Sequence, residues 1–185
     1  MKVFKKVLLV CLICVSLAGC SMMKKTAKGA VEDFLNQYKS LSSNVLEDLD
    51  KVVDDEDLTD EQKEKYRDIL KRQYEELKYE VQDEEYDGDK ATVKTKITVI
   101  DYYKVQKDAS KYLQNNEDKF LENGVYSNKL YMDYKLEQMD KAKDTKDYTI
   151  NFKLQKNDKG NYEVIDLTNE DLEKIHGIYN YENEK

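Results

Sequence analysis

Asp87-Gly88-Asp89-Lys90-Ala91-Thr92-Val93-Lys94-Thr95-Lys96-Ile97-Thr98-Val99 decides the fold class. Ala91, Val93, Thr95, Ile97 and Val99 fall on one face of an extended chain, and Thr92, Lys94, Lys96 and Thr98 fall on the other. Strict alternation of this kind is the mark of a half-buried strand. Asp87-Gly88-Asp89 supplies a turn able to take positive φ. Before it, Tyr79 and Val81 alternate with Lys78, Glu80 and Gln82. The stretch predicts a β-hairpin with one wet face, and therefore an antiparallel sheet.

The same period returns near the end of the chain. Tyr148, Ile150, Phe152 and Leu154 alternate with Thr149, Asn151, Lys153 and Gln155. Asn157-Asp158-Lys159-Gly160-Asn161 reads as a hairpin loop, followed by Tyr162 and Val164, with Asp166 in the same phase. Ile165 and Leu167 lie on the opposite face, which predicts a strand covered on both sides.

Around these hairpins the period is helical. Ala27, Ala30, Val31, Phe34, Leu35 and Tyr38 form one stripe, broken at Leu41-Ser42-Ser43. Val45, Leu46, Leu49, Val52 and Val53 form a second. Asp54-Asp55-Glu56-Asp57 reads as a solvated acidic connector. Thr59-Asp60-Glu61-Gln62 is a capping box opening a helix with Tyr66, Ile69, Leu70, Gln73, Tyr74 and Leu77 on one face. Lys107 to Glu122 predicts a further helix, with Asn123-Gly124 as its C-cap. Residues 128–143 predict another, using Leu130, Tyr131, Tyr134 and Met139, although Leu130, Met132, Tyr134 and Leu136 also alternate as a strand. Thr168 opens a last short helix bearing Leu172, Ile175 and Ile178, with Asp171 in its first turn. The expected class is α+β: an antiparallel curved sheet of two hairpins packed on helices.

The N-terminus has a different character. Lys2, Lys5 and Lys6 precede the apolar run Val7 to Ala18, which ends in Leu17-Ala18-Gly19-Cys20. This stretch of 12 residues, broken only by Ser16, falls short of the roughly 20 that a membrane-spanning helix needs. A basic start, a short apolar stretch and small residues are the order of an export signal. Leu17-Ala18-Gly19-Cys20 resembles the lipobox of bacterial lipoproteins. The resemblance covers residues 1–20. It implies cleavage before Cys20, a diacylglyceryl group on the Cys20 sulfur and an acylated, palmitate-type anchor. Two acyl chains hold a protein stably at a bilayer where one is marginal.

This resemblance divides the chain into a signal peptide (1–19), the lipidated Cys20 with a short tether (20–25), one α+β domain (26–179) and a polar tail (180–185). Cys11 and Cys14 spell C-x-x-C but fall inside the removed segment. With Cys20 consumed by lipid, the mature chain has no thiol for a disulfide, a zinc site or a nucleophile. Ser21 to Lys25 reaches at most roughly 17 Å. Lys24 and Lys25 then serve either as headgroup contacts, each worth about 1 kcal/mol, or as a solubilising spacer.

Composition limits the function classes. The 185 residues carry a net charge of −8, no Pro, no Trp and 15 Tyr. Loss of the lysines at 2, 5 and 6 takes the mature domain to about −11. That excess argues against nucleic acid, which needs a basic surface, and disfavours broad docking on anionic lipid. The Lys, Asp, Glu, Asn and Tyr bias resembles proteins of low-GC Gram-positive bacteria, which would place the anchor on the extracytoplasmic face of the cell membrane. Element order, together with Lys159-Gly160-Asn161-Tyr162-Glu163-Val164, resembles the cystatin-like or nuclear transport factor 2-like cone of small Gram-positive lipoproteins. Two helices between the hairpins and one after the last strand depart from that pattern.

Candidate chemistry is sparse. Asp83 to Asp89 places Gly88 at the sixth position of a calcium loop, but Lys94 occupies the twelfth, where a bidentate Glu is required. A charged hairpin tip is the better description, and no metal or cofactor is expected. His176 is the only histidine and falls at the end of a helix, where a macrodipole favours its charged form. No nucleophile elbow, phosphate loop or zinc spacing occurs. Tyr102, Tyr103, Tyr131 and Tyr179 are the candidate partner-binding residues, tyrosine being favoured in binding surfaces; the alternative is that they replace Trp and Phe in the core. The expectation is a non-enzymatic, membrane-anchored binding or accessory module with an envelope protein as partner. The alternative is a pocket enzyme using His176 or a buried Asp/Tyr pair.

Overall fold

The computed structural model describes residues 25–183. The stretch read as an export signal, with Leu17, Ala18, Gly19 and Cys20, and residues 21–24 therefore lie outside the described residues. The remainder is α+β: α1 (Ala27–Lys39), α2 (Ser43–Asp54), α3 (Asp60–Glu76), β1 (Lys78–Asp87), β2 (Lys90–Ile100), α4 (Tyr102–Asn115), β3 (Leu121–Glu122), β4 (Val125–Tyr126), α5 (Asn128–Asp140), β5 (Thr145–Lys156), β6 (Tyr162–Ile165) and α6 (Asn169–His176).

Both expected hairpins form, and they join through their long strands. The sheet order is β1-β2-β5-β6, antiparallel throughout. Its inner face is the alternating set read from the sequence. Val93, Ile97, Ile150, Phe152 and Leu154 are all nearly or wholly buried. Val93 sits opposite Phe152, and Ile97 opposite Tyr148. Phe34 of α1 meets Phe152 edge-to-face at 5.8 Å, so this helix covers the sheet. The outer face is a polar ladder in which Glu80 faces Lys96, Asp83 faces Lys94 and Asp87 faces Lys90. The register shifts between Val81 and Asp83, a bulge that bends the edge strand.

Thr59 and Gln62 form the expected capping box, with Gln62 N–H donating to Thr59 Oγ1 at 3.3 Å and Thr59 N–H to Gln62 Oε1 at 3.1 Å. Thr168 and Asp171 do the same for α6. These reciprocal bonds satisfy donors that a helix start leaves unpaired.

Three expectations are corrected. α4 starts at Tyr102 rather than Lys107, because Asp101 accepts from Lys104 N–H at 3.0 Å and caps the helix as soon as β2 ends. It stops at Asn115, and a 3-10 turn (Glu117–Phe120) follows. Asn123-Gly124 is no C-cap: both take positive φ (53° and 79°) and make the two-residue turn of a small hairpin, β3–β4. The acidic connector is not wholly solvated either. Glu56 is only 6 % exposed because it turns inward toward Lys135 of α5, itself 3 % exposed.

Residues 128–140 are helical, capped by the Ser127 hydroxyl. The buried stripe of α5 is Met132, Lys135, Leu136 and Met139, so Leu130, Tyr131 and Tyr134 lie on its flank. The described chain enters at one end of the sheet, where Lys25 N–H donates to Asn161 Oδ1 at 3.1 Å in the β5–β6 loop. The opposite end, at Ile100 and Thr145, carries α4 and α5. Among the described residues no helix is long and apolar enough to cross a membrane.

Candidate functional site

At that opposite end an open cleft of about 490 Å³ lies between α3, α5 and the end of α4. Its floor is aromatic. Tyr112 and Tyr134 stack with centroids 4.7 Å apart, and Phe120 meets both edge-on. One wall is a polar knot. Gln62, already used by the capping box, turns its amide nitrogen to Asp133 Oδ1 (2.7 Å) and to the Lys129 carbonyl (3.1 Å). Lys129 Nζ donates to the other oxygen of Asp133 at 2.9 Å. Across the cleft, Lys119 Nζ donates to the Tyr112 hydroxyl at 2.7 Å. Glu61, Lys65 and Glu137 complete the rim.

A stacked aromatic floor offers a π-face, and the rim offers both signs of charge. Desolvation raises the Asp133 pKa, but hydrogen bonds from Gln62 and Lys129 outweigh it and hold the carboxyl below the usual range. A general acid or base works best with a pKa near the operating pH, and Asp133 is moved the other way.

The tyrosines singled out from the sequence do not form one patch. Tyr102 is wholly buried and donates its hydroxyl to the Ile69 carbonyl at 3.2 Å, so it is a core residue and no surface group. Tyr103 packs edge-on against Tyr181 at 4.9 Å and donates to Glu182 at 3.3 Å. Tyr179 packs on Tyr148 at 5.7 Å, with the Lys174 ammonium over its ring. Tyr131 stands beside the cleft, against Phe120 and within 3.1 Å of Ser110 Oγ. Residues 181–183, assigned to a polar tail, form a 3-10 turn whose Tyr181 hydroxyl donates to Asp101 at 3.1 Å.

His176 is built into a junction remote from the cleft. Its Nε2 shares a 3.0 Å hydrogen bond with the Tyr74 hydroxyl. Burial pushes its pKa down to about 4, so desolvation overrides the helix-end preference for the cation. Beside it, Gln73 is fully buried, accepting from Ile100 N–H (2.9 Å) and donating to the Ile175 carbonyl (3.2 Å). Gly177 closes this junction with φ +71°. A Cβ there would lie 2.1 Å from the Ile100 carbonyl oxygen. The buried Asp/Tyr pair also exists, as Asp101 and Tyr181, but Asp101 already caps α4.

Sequence inspection missed the cleft because its walls come from three helices whose mutual placement no local period encodes. The available signal was the density of Tyr112, Phe120, Tyr131 and Tyr134 on two consecutive predicted helices. Among the described residues no group of His, Cys, Asp and Glu side chains gathers as a metal site. The fold is an α+β domain with an open, aromatic-floored cleft between α3, α4 and α5. The chain matches no protein-family model, no curated protein and no solved structure.

Proposed function

We propose that the chain is a lipoprotein of the cell envelope, anchored through a diacylglyceryl group on Cys20, whose domain is a non-enzymatic binding or accessory module. The observation that carries this is Leu17-Ala18-Gly19-Cys20 at the end of a short apolar run, with Lys2, Lys5 and Lys6 before it. The short tether sets the β5–β6 loop end of the sheet toward the bilayer. The cleft, with the exposed Leu121, Val125 and Tyr126 of the β3–β4 hairpin near it in sequence, then faces away, toward an envelope protein partner. Apolar groups offered together to solvent are a feature of interaction surfaces.

Cys20→Ala tests the anchor. In cells fed a tagged fatty acid, the parent chain takes up label and sediments with membranes. The variant takes up none and accumulates as the longer precursor. Equal labelling of the two would refute the anchor.

A further inference from the structure

The two long outer strand edges of the sheet differ. β1 guards its edge with Glu80, Asp83, Glu84, Glu85 and Asp87 and with the bulge after Val81. Charge and bulging are ways natural sheets block added strands. β5 has no such guard. β6 pairs only with residues 153–156, leaving the rest of that side of β5 without a neighbouring strand.

The hydrogen-bond phase shows which groups point there. Lys156 N–H donates to the Asp89 carbonyl (2.8 Å) and Asp101 N–H to the Asp144 carbonyl (2.9 Å), extending the β2–β5 ladder at both ends. Even-numbered residues of β5 therefore bond β2, and odd-numbered ones point away. Asn157 N–H bonded to the Asn161 carbonyl (2.9 Å) puts odd numbers on the β6 side as well. Asp147, Thr149 and Asn151 each present an N–H and a C=O to the open side. These make no hydrogen bond to any described residue, and all three side chains are exposed. The sequence Tyr148-Thr149-Ile150-Asn151-Phe152 has no Pro, Gly or net charge to discourage pairing.

We propose that the open edge of β5 from Asp147 to Asn151 accepts an added strand from an extended, acidic segment of a partner protein. Backbone pairing supplies the affinity, as in other strand-addition complexes. Charge selects the sign. Lys146 and Lys153 flank the slot, Lys94 and Lys96 stand one strand further in, and Asp147 is already engaged by Lys96 (2.7 Å) and Thr98 (2.6 Å). The sheet sets the precedent: acidic β1 pairs with the lysine ladder of β2, and β6, in line with the slot, turns Glu163 outward. The site is independent of the cleft and of the anchor.

The test is amide hydrogen exchange, read by NMR on the full chain in detergent micelles, with a synthetic peptide of residues 78–87 as the acidic strand. Without peptide, the amides of Asp147, Thr149 and Asn151 exchange fast while those of Tyr148 and Ile150 are protected. Peptide slows the first three by roughly tenfold or more. Thr149→Pro removes one outward donor without touching the β2 ladder, and abolishes the slowing. Thr149→Glu with Asn151→Glu keeps every backbone group, opposes an acidic strand, and weakens peptide binding at least roughly tenfold. Three results would overturn the proposal: protection of the three amides in the free, dilute chain; no slowing at millimolar peptide; or slowing that grows with protein concentration alone, which makes a second copy the occupant.

Discussion

The sheet half and the helical half of this domain are held together by different means. Where α1 covers the sheet, the interior is hydrocarbon and aromatic ring: Val31, Leu35, Val93, Ile97, Ile150 and Phe152. Of the buried polar side chains among the described residues, Thr95 alone sits on a strand. Glu56, Gln62, Gln73, Asp101, Lys135 and Lys174 all belong to helices, their caps or their connectors. Apolar contacts are tolerant of direction, whereas a buried amide or ion pair fixes position and must stay satisfied. The sheet half thus supplies bulk stability, and the helical half is a set of positioned joints, of which Gln62 stands at the cleft.

The largest expected effect lies in the sheet half. Phe152→Ala should cost about 3–5 kcal/mol by leaving a cavity under α1, seen as a lower urea midpoint with little dependence on pH. In the helical half, Gly177→Ala should cost about 3 kcal/mol. The added methyl meets both the Ile100 carbonyl and the Gln73 amide, and φ is already left-handed. Loss should appear first as faster exchange at Ile100 N–H, the group Gln73 holds. An unchanged midpoint for Gly177→Ala would mean the junction is loose.

Titration separates the halves further. An unfolded chain protonates its histidine near 6.5, whereas burial holds His176 near 4. The unfolded state binds more protons between these values, so stability falls as pH drops from about 6.5 toward 4. His176→Gln should flatten that slope and leave stability at pH 7.5 nearly as it was. Lys135 works at the other extreme: desolvation lowers its pKa to about 8, against an ordinary 10.5, with Glu56 opposing the shift. The unfolded state again binds more protons in that window, so stability rises from pH 8 toward 10. Lys135→Met should remove the rise. Paired with Glu56→Gln, so that no charge is left buried alone, it is the smallest of these effects at neutral pH.

The same division decides what was legible in the sequence. Alternation fixes a strand's two faces locally, so the inner set Ala91 to Val99 and Tyr148 to Leu154 was readable residue by residue. The capping box at Thr59 was readable because its partner is three residues away. At Thr168 the sequence showed a helix start with an acidic first turn, and the fold adds the return bond to Asp171. Asn123-Gly124 reads as a helix C-cap in the sequence, because the strands it joins are two residues long and carry no period. Glu56 reads as a surface charge in the sequence because what buries it, the helix carrying Lys135, is far along the chain. The cleft was illegible for the same reason: Gln62, Lys119 and Asp133 meet through packing of helices far apart in sequence. Tyr102 was offered as a surface residue, whereas α4 begins at that position and turns it inward.

Attachment through Cys20 is the claim on which the orientation of both halves rests. Intact mass spectrometry of the protein extracted from membranes tests it most directly. The account predicts a chain that begins at Cys20 and is heavier than its polypeptide by a diacylglyceryl group, with or without a further acyl chain. A membrane-derived chain that begins at Met1, or one whose Cys20 carries no lipid, would contradict it.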